Sequence, residues 1–309
     1  MDVKFSILIP AYKKRFLREA ISSCLQQTYP NLEVIVLDDC SPDDLPAVLA
    51  DFNDPRLSFY RNETNVGAVD VVDNWNKCLS LCTGDYVICM GDDDMLPPES
   101  LTEYLLLIGK YPTLDAYHGR AAIIDEQGAY TDIIPSRSEL ENVFELMRHR
   151  LEGWSQFIGD FCYRTEALRA AGGYYILPLA WGSDDLTAYT MTADKGIANT
   201  SRVAFLYRNN SWSISSASHT DLKLSAYKDT FAWISRYLNS CSCATLEEQL
   251  TRDTIIKNLS AYKRDFQAAI LCQCFKHSRL KCVGYILRRR KFEASITTVL
   301  KALLSSWLA

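Results

Sequence analysis

Two short apolar runs in the first third of the chain, Glu33–Leu37 (EVIVL) and Tyr86–Met90 (YVICM), break off into carboxylates: Asp38-Asp39 after the first, Gly91-Asp92-Asp93-Asp94 after the second. Runs this short and this continuously apolar read as strands buried on both faces, the mark of a parallel sheet covered by helices. The flanking segments agree. Phe5–Ile9 (FSILI) is a further strand closed by Pro10, and Leu57–Tyr60 another. Phe16, Leu17, Ala20, Ile21, Cys24 and Leu25 recur at helical spacing up to Tyr29-Pro30, and Val69–Leu81 has helical period. This repetition predicts an α/β fold with a mostly parallel central sheet flanked by helices. Ligands of such sheets sit beyond the carboxyl ends of the strands. The two acidic clusters should therefore share one crevice.

From about residue 115 the pattern is mixed. Ala116–Ile124 and Val203–Tyr207 read as strands, Ser138–Leu151 and Asp184–Lys195 as helices, and Gly172-Gly173 as a tight turn. Arg208–Ser218 is a polar loop rich in Asn and Ser, and everything from Leu222 onward reads helical. We therefore divide the chain into a catalytic-type region, 1–219, and an all-helical appendage, 220–309.

With 309 residues, of which 48% are hydrophobic and 23% charged, the chain has material for a large core. Its formal net charge of −5 supplies no positive field for nucleic acid. The longest uncharged run, Ala170–Ser183, is too short to span a bilayer and carries Gly and Pro. The opening MDVKFSILIPAY lacks the pattern of a secretory signal. Eleven cysteines then read as reduced thiols of a cytoplasmic protein, and the C-x-C pairs Cys241/Cys243 and Cys272/Cys274 as helix-packing residues.

Three acidic motifs carry candidate chemistry. Adjacent carboxylates repel one another, so Asp92, Asp93 and Asp94 at a strand end suit a hard divalent cation, Mg²⁺ or Mn²⁺, that also binds substrate phosphate. A solvated turn before Pro98 is the plainer reading, and the position after an apolar strand weighs against it. Asp38-Asp39 is balanced between a strand-ending turn and a pair that accepts hydrogen bonds from a nucleobase or ribose. Asp184-Asp185, after Trp181-Gly182-Ser183, read alone is a helix cap. As a general base, one of the two would need burial to offset the helix dipole.

The order SILIPAY, QQTYPN, EVIVLDDCSPD, NVG, GDYVICMGDDDMLPPESL, GDFCYRTEALRAAGGY, WGSDDLTAY and YRNNSWSIS resembles that of the family 2 inverting glycosyltransferases with the A-type nucleotide-diphospho-sugar transferase fold, over roughly residues 4–216. The resemblance implies a nucleotide pocket lined by Pro10, Ala11, Tyr12 and Asp39, with Asp39 facing the base and Asp38 nearby. It puts Asn65 and Gly67 in the loop that approaches nucleotide and sugar. Asp93 takes the metal position, with Asp92 and Asp94 beside it. Asp185, or Asp184 on a one-residue shift, becomes the general base, and Arg208 is either a partner for the donor diphosphate or an ordinary surface arginine. Two positions depart from the usual pattern: Gly91 stands where an Asp is common, and Asp184-Asp185 where Glu-Asp is.

The implied reaction is a single in-line displacement with inversion. It moves a sugar from a nucleotide-diphosphate donor, with UDP the expected carrier, to a hydroxyl of a glycan or lipid-linked acceptor in surface-polysaccharide synthesis. Trp154 and Trp181 are candidate acceptor contacts, or simply loop anchors, and His219 borders the polar loop. Nucleotidyl transfer is disfavoured because the first loop, Pro10-Ala11-Tyr12, is neither Gly-rich nor basic. A catalytically inactive scaffold is the alternative from outside the enzymes. Finally, Lys276, Arg279, Lys281 and Arg288–Lys291 precede helically spaced Ile296, Val299, Leu300, Leu303, Leu304, Trp307 and Leu308. This is consistent with a tail lying on the anionic inner face of a membrane or with a helical packing element whose charges are solvated.

Overall fold

A computed structural model describes residues 2–210 and 219–308; most of the expected polar loop, residues 211–218, lies outside them. The chain divides into two compact units, Met1–Ile176 with Ser183–Ser213, and Leu177–Gly182 with Ile214–Ala309.

The first unit is an α/β sandwich. Its strands are β1 (Phe5–Ala11), β2 (Leu32–Asp38), β3 (Leu57–Arg61), β4 (Tyr86–Cys89), β5 (Ala116–Ile124), β6 (Tyr130–Ile133), β7 (Leu140–Glu141), β8 (Phe161–Arg164) and β9 (Ile197–Arg208). Among the described residues they form one sheet in the order β3-β2-β1-β4-β8-β5-β9-β7, with β6 added to β5. Strands β3, β2, β1 and β4 run parallel, as the strand–helix–strand repeat dictates. The other half is mixed, because it lacks that repeat: β8 is antiparallel to both neighbours, while β5 and β9 are parallel. Strand β6, which the sequence reading passed over, returns along β5 through the turn at Asp125–Gly128. The helix expected over Ser138–Leu151 is shorter, α5 (Val143–Leu151), because Asn142 caps it through the Phe144 and Glu145 N–H groups and Glu145 bonds back.

The remaining helices of this unit are α1 (Leu17–Leu25), α2 (Leu45–Leu49), α3 (Val71–Leu81), α4 (Ser100–Lys110), α6 (Thr165–Ala170) and α7 (Ser183–Thr192). Strand β1 sits at the centre of the parallel half. Its Phe5, Ile7 and Ile9 pack with Leu17, Ile21 and Cys24 of α1 and Leu101, Tyr104 and Ile108 of α4 in one buried cluster. The effect is to aim the carboxyl ends of β1, β2 and β4 at one edge of the unit.

The second unit is helical: α8 (Thr220–Ser240), α9 (Leu246–His277), α10 (Lys281–Arg288) and α11 (Ile296–Leu308). Tyr227 and Phe231 of α8 meet Phe266 of α9 edge-on at 5.0 and 5.8 Å between centroids. Among the described residues no helix is long and apolar enough to cross a membrane.

Gly84, just before β4, is required by close approach. A Cβ there would lie 2.7 Å from the Ser6 nitrogen and 2.8 Å from the Lys4 carbonyl oxygen, both backbone atoms that cannot swing away. We predict that Gly84→Ala lowers unfolding stability by about 1–3 kcal/mol, the range for overpacking. Gly284→Ala, inside α10 where a Cβ meets nothing, should be stabilising by up to about 1 kcal/mol; urea titration of both variants checks this.

Candidate active site

Beyond β4 the chain still pairs with β1 through Met90 N–H to Leu8 C=O at 2.9 Å, and then leaves the sheet at Gly91. A Cβ at position 91 would sit 2.7 Å from Asp93 Oδ1, so the absence of a side chain there lets the following acids fold back over the turn. The three carboxylates then take three different jobs. Asp92 Oδ2 accepts the backbone N–H groups of Tyr12 and Lys13, both at 2.7 Å, which ties the acidic turn to the β1–α1 loop. Burial and the neighbouring Asp93 charge push Asp92 up to about 6, against the pull of those two hydrogen bonds. Asp93 Oδ2 accepts from Asn210 Nδ2 at 2.8 Å. Asp94 turns inward, accepting the Arg208 N–H at 2.9 Å and the Gly91 N–H at 3.3 Å. Burial and the Asp93 charge raise Asp94 well above the carboxylate range.

Asp92 and Asp93 face a cavity of about 350 Å³ whose other walls are Lys13, Lys14, Arg15, Phe16, Asp43 and Asn210. Three carboxylates and three cations on one cavity match a phosphate chain accompanied by a divalent cation. Among the described residues no three His, Cys, Asp or Glu side chains gather in a way that would hold a metal alone. The residues present therefore fit a cation held by Asp92 and Asp93 and completed by substrate phosphate, and Asp94 is corrected from metal ligand to internal brace of the turn. The sequence reading missed the basic run Lys13-Lys14-Arg15. It was visible directly after Tyr12, and it removes the basic half of the argument against nucleotidyl transfer.

Arg208 is corrected too. It was expected at the mouth of a loop, binding diphosphate or as an ordinary surface arginine. It is instead the last residue of β9, its side chain fully buried. Its Nε donates to Asp93 C=O at 2.8 Å, Nη1 to the Asp125 and Glu126 carbonyls at 3.2 Å, and Nη2 to Glu19 Oε2 at 2.6 Å. The guanidinium also lies 4.3 Å from the Phe16 ring centroid.

On the β2 side the two acids separate. Asp38 is fully buried and bonded to Arg61 and to the Ser41 N–H, at 2.7 Å for the latter, so it locks the strand end rather than lining a pocket. Asp39 Oδ1 accepts from Asn62 Nδ2 at 2.8 Å and the Val66 N–H at 3.0 Å, whereas Oδ2 has only a long bond from the Gly67 N–H at 3.3 Å. Asn65 Nδ2 donates to the Asp39 carbonyl at 2.7 Å, and Gly67 takes φ +80° to bring its N–H inward. Oδ2 thus keeps acceptor capacity for a nucleobase N–H. Pro10 and Ala11 pair with Leu37 and Asp38 in the sheet, and Tyr12 is exposed beyond them.

The third acidic motif opens α7. Asp185 is buried and accepts Arg150 Nε at 2.8 and 3.1 Å on its two oxygens, and Gln156 Nε2 at 3.2 Å. Gln156 Oε1 in turn accepts from Arg137 Nη2 at 3.0 Å, and Arg137 is paired with Glu141 at 3.2 Å. Asp184 is only partly exposed; desolvation and the Asp185 charge push it up to about 8 despite Arg150. Trp154 stacks on His149 at 4.2 Å and Trp181 meets Tyr227 edge-on at 6.0 Å with Lys223 Nζ 4.2 Å from its ring centroid, so neither indole presents two open faces.

A family model, Glycosyl transferase family 2, matches residues 6–176, more than half of the chain. The chain belongs to glycosyl transferase family 2. Over 103 residues it is 36% identical to the Escherichia coli protein named "Putative colanic acid biosynthesis glycosyl transferase WcaA", covering 32% of this chain and 36% of that one. It is also 29% identical over 151 residues to an uncharacterized glycosyltransferase of Haemophilus influenzae, covering 48% and 50%. The chain thus spans about a third to a half of the length of these curated relatives. Among solved structures, Staphylococcus aureus TarS 1–349 in complex with UDP-GlcNAc superposes with a TM-score of 0.58 at 22% identity, covering 92% of this chain and 75% of that one. The mannosyltransferase PcManGT of Pyrobaculum calidifontis with GDP-Man and Mn²⁺ gives 0.56 at 16%, covering 99% and 87%. These likenesses establish the fold.

Arg208 joins the acidic turn, the Asp125 turn and α1, and its removal leaves Glu19, three carbonyls and the turn without their shared donor. We predict that Arg208→Met costs about 1–3 kcal/mol, as expected when buried carbonyls lose their donor. Glu19→Gln, at a half-exposed partner, should cost well under half as much; denaturant titration separates the two.

Proposed function

We propose that this chain transfers a sugar from a nucleotide-diphosphate donor, with UDP the favoured carrier, to a hydroxyl of a surface-glycan or lipid-linked acceptor, with inversion at the anomeric carbon. The observation that carries the reading is the cavity at the ends of β1 and β4, where Asp92 and Asp93 oppose Lys13, Lys14 and Arg15 inside the family match. Donor phosphates suit that charge pattern, and Asp39 Oδ2 suits a base N–H. A Mn²⁺ or Mg²⁺ bound at Asp92 and Asp93 would supply Lewis-acid stabilisation of the leaving diphosphate. Lys13, Lys14 and Arg15 act in the same sense on the charge that builds as the anomeric C–O bond breaks.

The acid pair handles the proton. Asp185, which the family pattern favours as base, is held by Arg150 and Gln156 on both oxygens. Asp184, partly exposed and raised to about 8, is the better acceptor for the hydroxyl proton as the acceptor oxygen attacks C1. Arg150 donates to both oxygens of Asp185, and its charge also lowers Asp184 against the burial that raises it.

The donor assignment predicts a rise in melting temperature with UDP and Mn²⁺, smaller with GDP, and lost in Asp93→Asn. A ligand at a hundred times its dissociation constant stabilises by about 2.7 kcal/mol, readily visible in a melt. A cooperative melt that no nucleotide shifts would overturn the reading.

For the proton, the sign follows from a pKa raised in the fold. Asp184 must be ionised to act, so kcat/KM should climb as pH rises toward and through about 8. Ionising it costs the fold, so stability is retained below the unfolded value of about 4 and lost as pH rises through the folded one. Asp184→Asn should therefore abolish turnover while melting higher than wild type at pH about 8, with no difference at pH about 4. Arg150→Gln should move the rising limb to higher pH, since the guanidinium lowers Asp184. An unmoved profile in Arg150→Gln would sink the division of roles.

A further inference from the structure

Helix α10 buries one side and leaves the other bare. Cys282 and Tyr285 are buried, while Val283 and Leu287 are 62% and 77% exposed and Leu280, just before the helix, 87%. Residues 280, 283 and 287 are three and four apart, so they form one apolar stripe. Helix α11 does the same: Val299 and Ala302 are buried, and Ile296, Leu300, Leu304 and Trp307 share an exposed stripe. The Arg279 guanidinium lies 3.8 Å from the Trp307 ring centroid, which places the start of the first stripe beside the end of the second.

Cations rim this surface. Lys276, Arg279, Lys281 and Arg288–Lys291 contain no acid between them. Among the described residues, Arg288 alone of these seven forms an ion pair, with Asp221 at 2.7 Å. Lys281, Gly284 and Arg288 line a cavity of about 630 Å³ that also reaches Ser278, Thr220, Leu280 and Asp221, the ion-pair partner of Arg288.

Exposed apolar stripes with unpaired charge of one sign are complementary to a layer that is negative at its face and hydrocarbon beneath. We infer that α10 and α11 dock on an anionic phospholipid surface. Leu280, Val283, Leu287 and Trp307 enter the acyl boundary, and the cations lie against the head groups. Docking deepens the transferase reading, because a lipid-linked acceptor is met at such a surface, yet it stands on its own observations.

The test is sedimentation of the full chain with vesicles of phosphatidylcholine alone, or with about one third phosphatidylglycerol, at low and high salt. Wild type should bind the mixed vesicles only, and release as salt rises. Arg290→Glu with Lys291→Glu should weaken binding by at least about 25-fold, taking on the order of fivefold per cation. Leu280→Glu with Leu287→Glu, both at exposed positions, should abolish binding without lowering the melting temperature. Equal binding to both vesicle types, no binding to either, or stripe variants that bind like wild type would each overturn the inference. The UDP–Mn²⁺ melting shift, measured on the same variants, should be unchanged. In the wild type, no vesicle binding with the melting shift intact sinks the docking alone, and vesicle binding without the melting shift sinks the donor assignment alone.

Discussion

The arrangement of the candidate active site hangs on one buried guanidinium. Three consecutive carboxylates at the end of β4 repel one another, and a turn carrying them needs a brace to keep it from splaying toward water. Arg208 supplies that brace from behind, holding the Asp93 carbonyl with its side chain and the Asp94 carboxylate with its backbone N–H. The Met95–Leu206 bridge, bonded in both directions at 3.0 and 2.9 Å, fixes the same two segments two residues away. With Asp94 turned inward, Asp92 and Asp93 are left to face the cavity. The cations Lys13, Lys14 and Arg15 then reach the same cavity from the β1–α1 loop, drawn in by Asp92 itself through the Tyr12 and Lys13 amides.

The acid pair on α7 solves a different problem with the same element of design. Two adjacent carboxylates at a helix start are both favoured as anions by the helix dipole, which suits a cap and not a base. Arg150 and Gln156 donate to Asp185, while desolvation and the neighbouring Asp185 charge raise Asp184. Other charged and titratable groups reach the pair from further elements: Asp160 disfavours ionisation of Asp184, and the buried Tyr163 and Tyr189 feel both acids. A raised carboxylate is a stability cost carried by the fold at neutral pH, in the manner of strained functional sites generally.

Much of the parallel half was legible because its physics is local. Continuous apolar runs such as Glu33–Leu37 and Tyr86–Met90 have few other places to go than the middle of a covered sheet, and the helical periods between them force the parallel sense. The mixed half was less legible. Strand β6 is a four-residue, wholly exposed strand without an alternating apolar pattern, and β8 takes its direction from its neighbours rather than from its own residues. The site followed the same rule. Clusters of acid at strand ends could be found, but Asp38 and Asp39, or Asp93 and Asp94, are chemically identical neighbours, and a one-residue step reverses which way a side chain points.

The sequence by itself determined the family, the strands that carry the acidic clusters, and the basic, amphipathic character of the last helices, since periodicity, motif order and charge are properties of the chain. Only the tertiary structure decided which acid does which job. That choice depends on residues far away in sequence: Arg61 taking Asp38, Arg208 taking Asp94, and Arg150 taking Asp185. A carboxylate's role is set by the donor it meets, and that donor is brought to it by folding.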